Sequence, residues 1–304
     1  MLIIKQYPMP VYHLLLALLV AIVWGVNFTF AKLSLDEVSP LMLCALRFIL
    51  ASIPAIFFIP RPAIPFSGVI LYGLVMFALQ FALSFVGMSV GMTPGMASLI
   101  MQMQVFFSIF FAVMFLGEEV RIWQVGGALV SFMGIGIVAL HLDKNISLLG
   151  FICVLSAAAT WGVGNLIIKK AKKVNMISMV VWGCFVACIP MILLSLIFEG
   201  PSRITESYHN LTWLGFSSLL YMVYISTWVG YGIWNWLLSR YPVSVIVPFT
   251  LLVPIVGMMS SVFILGESLE LWKAAAGVLV ILGLYINNFG ARFFRARATQ
   301  EVAG

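Results

Sequence analysis

Two glutamines two residues apart, Gln102 and Gln104, stand inside an otherwise apolar run, with Ser98 before them and Ser108 after. A primary amide carries donors and acceptors and no charge, so it can recognise a polar ligand or bond a neighbouring helix. Asn27, Gln80 and Asn165 are further amides inside apolar runs, and Trp228, Tyr231 and Asn235 form a dense polar–aromatic group in another. Arg47 is the single charge well inside such a run. No aspartate or glutamate falls inside any of them. A charge near a bilayer centre costs ~2.5–3.5 kcal/mol, so a buried carboxylate proton relay is not expected. The expected ligand carries little net charge and is met by neutral donors and acceptors.

At 100° per residue the two glutamines point about 200° apart on a regular helix. Gln102 shares a face with Gly95, Ser98 and Phe106, and Gln104 with Ala97, Met101 and Ser108. One is expected to meet substrate while the other bonds a neighbouring helix, and the sequence does not say which. Asn27 and Asn165 occupy related places after Trp24-Gly and Trp161-Gly, and either lines a cavity or bonds backbone. Arg47 has two readings. As a functional residue it draws a substrate carboxylate. As a structural one it snorkels outward or ties a loop acid, Asp36 or Glu37, and that reading stands ahead.

Nothing here resembles catalytic machinery. His13, His141 and His209 are far apart, no H-E-x-x-H occurs, and no G-x-x-x-x-G-K-[ST] loop is present. Cys184 and Cys188 lie one turn apart in an apolar run and read as small apolar residues. The expectation is a non-enzyme with no metal, no cofactor and no ATP chemistry of its own.

The elements that must position these residues follow from composition. The chain has 304 residues, 63% hydrophobic and 9% charged, with a mean hydropathy of +1.15. So few charges cannot cover a soluble protein of this length. The pI near 9.2 would suggest nucleic acid in a soluble chain. Here the basic residues sit at the ends of apolar runs, so membrane orientation explains them and no nucleic-acid partner is expected. The runs are 12–30, 41–59, 68–87, 95–116 and 122–140, then 148–168, 178–198, 213–238, 243–265 and 272–289. In lipid each must satisfy its own backbone hydrogen bonds, which predicts helices. The fold class is an all-α integral membrane protein of ten transmembrane helices.

The second set repeats the first. Leu116-Gly117-Glu118 closes the fourth run and Leu265-Gly266-Glu267 the ninth. The same offset of 149 joins Trp123 to Trp272, Gly134 to Gly283 and Tyr72 to Tyr221. Five spans per half is odd, so the halves insert as inverted repeats, with a substrate site expected between them at mid-membrane. The halves are 12–140 and 148–290, followed by a basic tail at 291–304. With ten spans and Lys5 inside, eleven of the 16 lysines and arginines fall on the side of the termini, which places both termini in the cytoplasm. Lys169 to Lys173 reads as an orientation anchor that touches anionic lipid. Glu118 and Glu267 lie at span ends and read as caps or pairs. Small residues at Gly87, Gly91, Gly95, Gly127 and Ser131 predict close helix contacts, and the oligomeric state is left open.

Trp24-Gly-x-Asn27, Leu46-Arg47-Phe48, Leu-Gly-Glu after spans four and nine, and the five-plus-five layout resemble the EamA-type exporters of the drug/metabolite transporter superfamily over about residues 12 to 290. Ala97-Ser98-Leu99, Gln102-x-Gln104-x-Phe106-Phe107 and Val229 to Trp234 are most similar to the bacterial branch that exports cysteine and O-acetylserine. The resemblance implies secondary or facilitative export of small amino-acid metabolites across the inner membrane by alternating access. The alternative it leaves is a broader amino-acid or drug efflux carrier. One departure stands out. The family commonly has a proline thirteen residues before the glutamate of Leu-Gly-Glu. Pro254 fills that place in the second half but Val105 stands there in the first, so no inference is built on a symmetric pair of broken helices.

Overall fold

The computed structural model describes residues 9–117, 119–141, 147–171, 174–240 and 246–301. Among them there are helices and no strands. In chain order they are α1 (Val11–Leu35), α2 (Pro40–Ile56), α3 (Phe66–Ser89), α4 (Pro94–Leu116) and α5 (Ile122–Ala139). Then come α6 (Leu148–Ala171), α7 (Met176–Leu194), α8 (Gly200–Asn210), α9 (213–240), α10 (Leu252–Leu265) and α11 (Leu271–Glu301). Six are long and apolar enough to cross a membrane, and shorter apolar helices include α2 and those ending the chain. The amphipathic helix α8 was not foreseen. It follows α7 after a π-helical turn at Ser195–Glu199.

The helix ends explain the sequence motif. Gly117 and Gly266 take the left-handed conformation, with φ of 65° and 69°, as they terminate α4 and α10. A side chain resists that geometry, so the glycine of Leu-Gly-Glu is a helix stop. Pro40 and Pro94 open α2 and α4, where a missing N–H costs nothing.

The two halves interlock in exchanged pairs. The first-half helix α1 packs on α9 and α10, while α6, which opens the second half, packs on α3 and α4. Further large contacts join α2 to α7 and α5 to α11, and smaller ones α3 to α7 and α4 to α10; the first two pairs are of corresponding helices. On the last pair, a Cβ at Gly127 would meet Gly283 O, and one at Gly134 would meet Ala276 O. Gly127 corresponds to Ala276 and Gly134 to Gly283 at the offset of 149, so each contact is the other's mate. Between them Ser131 Oγ donates to Val280 O at 3.1 Å, and this pair has the same offset. Corresponding helices α5 and α11 therefore cross antiparallel about a local twofold. The same is true of α2 and α7, where Ser52 meets Cys188 and Trp182 Nε1 donates to Ile59 O.

Irregular turns repeat with the same symmetry. α3 is π-helical over Gly73–Leu79 and α9 over Tyr221–Val229. α4 has a 3₁₀ turn at Met101–Met103, and one at Val247–Leu251 leads into α10. The broken pair therefore exists although Val105 replaces proline in the first half. Serines flank that break and bond back to carbonyls of their own helix, Ser98 to Gly95 O and Ser108 to Gln104 O. Such back-bonding bends helices without proline.

Glu199 fastens the halves. Its carboxylate accepts from Leu41 N at 2.7 Å, Met42 N at 3.0 Å, Ser39 Oγ at 2.8 Å and Ser195 Oγ at 2.7 Å. It thus caps the N-terminus of α2 from the second half, where a negative charge also meets the helix dipole. Glu37 does the reciprocal service for α9, accepting from Thr212 N and Oγ1. Glu199→Ala should cost about 2 kcal/mol, seen as a thermal midpoint in detergent about 5 °C lower. An unchanged midpoint would mean the cap is dispensable.

Candidate functional site

A cavity lies where the two halves meet. One wall is a face of α1, namely Trp24, Asn27, Phe28 and Ala31, at helical spacing. Opposite is a face of α3 made of Gln80, Phe81, Ser84, Phe85 and Met88. Arg47 enters from α2, Met101 and Gln102 from the 3₁₀ turn of α4, Gln104 from the residue just after it, and Trp161 from α6. Ser226 and Tyr231 of α9, Thr250 and Val253 complete it. Met101 and Thr250 are mates at offset 149, as are Gln104 and Val253, so both broken helices present equivalent positions.

Both glutamines line the cavity, against the expectation of opposed faces. A 3₁₀ turn advances about 120° per residue, so two steps leave them about 120° apart rather than 160°. Gln102 is 7% exposed. Gln104 also accepts from Asn165 Nδ2 at 3.0 Å, so it both lines the cavity and bonds a neighbouring helix.

Arg47 departs most from the structural reading. Asp36 pairs with Lys32 and Glu37 caps α9, so neither loop acid reaches it. The side chain is 3% exposed. Its guanidinium lies 4.4 Å over the Phe81 ring, and Nη2 donates to Thr227 Oγ1 at 3.3 Å. Nη1 is buried with no hydrogen-bond partner. Among the described residues no carboxylate lines the cavity, so these residues give the site one positive charge without its counter-charge. Asn27 Oδ1 and Gln80 Oε1 are likewise buried without a partner, and Gln80 is 2% exposed.

Three residues singled out by sequence, Ser98, Asn165 and Trp228, stand elsewhere. Ser98 is buried against α10, where a Cβ at Gly257 would lie 2.3 Å from its Oγ. Asn165 is exposed and lines a separate recess with Ser108, Glu119 and Gln124. The residue matching Asn27 at the Trp24–Trp161 offset is Gly164, and one further residue turns a side chain by 100°. Trp228 donates from Nε1 to Ala51 O at 3.2 Å on the outer side of the bundle. Asn235 lies on α9 but its side chain is outside the described residues. Glu118 and the loop at 142–146 are outside them too. Residues the sequence reading passed over, Ser84, Phe85 and Met88 among them, recur every three or four positions from Gln80 and Phe81. That spacing was the available signal.

Away from the cavity, Glu267 accepts from Ser261 and pairs with Lys273 at 3.4 Å. In the turn before α11 the Glu270 carboxyl is held below the usual carboxylate range, first by the Trp272 indole donating to it at 2.7 Å, against opposing desolvation. Among the described residues no group of histidine, cysteine, aspartate or glutamate could hold a metal ion, and the four cysteines are free and buried. The arrangement offers binding groups and no nucleophile–base pair.

The sequence matches the model of the EamA-like transporter family over residues 11–140 and again over 148–289. A Salmonella typhimurium protein named "Probable amino-acid metabolite efflux pump" is 39% identical over 296 residues, covering 95% of this chain and 98% of that one. An Escherichia coli K12 protein of the same name is 38% identical, covering 92% and 96%. A protein of known crystal structure superposes with a TM-score of 0.64 at 16% identity, covering 94% of this chain and 99% of that one.

Proposed function

This chain belongs to the EamA-like transporter family, and from that premise we propose that it exports small amino-acid metabolites, cysteine and O-acetylserine foremost, across the bacterial inner membrane. It is a multi-pass membrane transporter and not an enzyme. The proposed architecture is ten spans in two inverted five-helix repeats, 12–140 and 148–290, with both termini and the tail at 291–304 in the cytoplasm. The antiparallel crossing of α5 on α11 and of α2 on α7 supports the inversion. The lysine and arginine asymmetry supports the orientation. Rocking of one repeat against the other would expose the cavity to each side in turn.

The observation that carries the reading is Arg47, a buried cation in a cavity whose other described lining residues are all uncharged. In the proposal it receives the substrate carboxylate, while Asn27, Gln80, Gln102, Gln104 and Tyr231 meet the polar remainder. A single carboxylate suffices to neutralise the site, which agrees with the printed name of the two relatives.

The purified protein in liposomes should give saturable efflux of labelled cysteine and O-acetylserine, absent from empty liposomes. Flux that never saturates, or none at all, would overturn the proposal. The aromatic and methionine walls at Phe28, Phe85, Met88 and Met101 favour a second reading, a carrier of wider range. Competition by aromatic amino acids as strong as that by cysteine would favour it.

A further inference from the structure

We propose that the same cavity holds a separate seat for an α-ammonium group, made by Asn27 Oδ1 and Gln80 Oε1, and therefore selects ligands with a free amino group. The inference rests on the export reading above. It follows from the signs of the unpartnered atoms. Arg47 Nη1 is a donor, whereas Asn27 Oδ1 and Gln80 Oε1 are acceptors, and all three are buried in the wall of one cavity. Buried groups of this kind carry a desolvation penalty until a partner arrives.

A monocarboxylate alone would answer Arg47 and leave both carbonyls bare. A neutral apolar compound would leave all three bare. An α-amino acid presents a carboxylate at one end and three N–H donors beside it, so one small molecule satisfies the set. The rings of Trp24, Phe28 and Trp161 in the same wall tolerate a cation on their faces. With no aspartate or glutamate among the described residues that line the cavity, a second positive charge on the side chain finds no partner there. The ligand class is thus an α-amino acid with an unblocked amino group and an uncharged side chain.

O-acetylserine and N-acetylserine test this, because they are isomers with the same carboxylate and differ in whether the amine is free. Competition against labelled cysteine on the purified protein should favour O-acetylserine by about tenfold or more, the fold expected from losing charge-assisted hydrogen bonds. In Asn27→Leu/Gln80→Leu, checked for an intact thermal transition, the preference should fall below about threefold, because O-acetylserine alone loses the ammonium contacts. Equal competition by the isomers on the unaltered protein would overturn the ammonium seat and leave export of carboxylates standing. A preference that survives in the double variant would overturn its assignment to these two carbonyls. Failure of cysteine and both isomers to bind at all would overturn the export reading as well.

Discussion

Arg47→Met should abolish export of cysteine and O-acetylserine, by at least tenfold in flux, while the purified protein melts at the same temperature or higher. The two halves of that expectation come from one geometry. Among the described residues the guanidinium is the only cation lining the cavity, and one of its nitrogens is buried without a partner. A hydrogen bond to a charged group contributes about 1.5–3 kcal/mol, so losing the carboxylate contact weakens binding about tenfold to a hundredfold. For stability the balance reverses. A buried cation with no acid opposes folding, and a residue of similar length without charge relieves that penalty. Methionine also keeps the packing against Phe81. Arg47→Lys keeps the charge but not the planar fork, and should fall between wild type and Arg47→Met in flux. Reconstituted efflux and a melting curve on one preparation give both readings. If Arg47→Met melted far lower and kept its flux, Arg47 would be a structural residue and the assigned carboxylate site would be gone.

Why the sequence ranked Arg47 as structural is instructive. Its rivals for a partner, Asp36 and Glu37, are near it in the chain, and only the fold reveals that Lys32 and Thr212 have taken them. Elements with a covalent or local cause were legible from residues alone. The glycine of each Leu-Gly-Glu ends its helix because few other residues sit easily at that φ, and Gly127 and Ser131, small residues at a close-contact spacing, do meet another helix, at Gly283 and Val280 of α11. Features that depend on local winding were not legible. The 3₁₀ turn at Met101–Met103 swings Gln102 and Gln104 toward one cavity, where ideal 100° steps oppose them. In α6 a single residue separates Gly164, the mate of Asn27, from Asn165, and that step decides which amide meets the cavity. Aromatic density misled for a similar reason. Trp228 and Tyr231 are three residues apart, yet the indole of the first turns to Ala51 O while the ring of the second packs on Trp24 in the cavity wall.

Gly283→Ala should be the most destabilising small substitution in the protein, because α5 and α11 meet there with no room for a methyl group. A Cβ at this position would lie 2.2 Å from Ser131 Oγ, 2.4 Å from Gly127 O and 2.6 Å from Ser131 N. Two of those atoms are backbone, so a rotamer change cannot relieve the clash and the helices must separate. Separation also strains the Ser131–Val280 bond and opens the contact at Gly127. In lipid such packing is the main force between helices, since acyl chains are as apolar as the side chains. Overpacking of about 1–3 kcal/mol and a weakened interhelical bond of roughly 0.6–1.7 kcal/mol together predict a melting point about 10 °C lower. Its symmetry mate Gly134 is less crowded, with the nearest atom at 2.8 Å, and Gly134→Ala should fall less. Gly136, on the outer face of α5 with nothing within 4 Å, supplies the control. There alanine should leave the melting point unchanged or raise it slightly, because glycine costs a helix interior about 1 kcal/mol relative to alanine. Equal melting of Gly283→Ala and Gly136→Ala would mean that the two halves are not held at this crossing. The local twofold that orders the exchanged contacts would then lose its anchor, and with it the argument that one repeat rocks against the other around the Arg47 cavity.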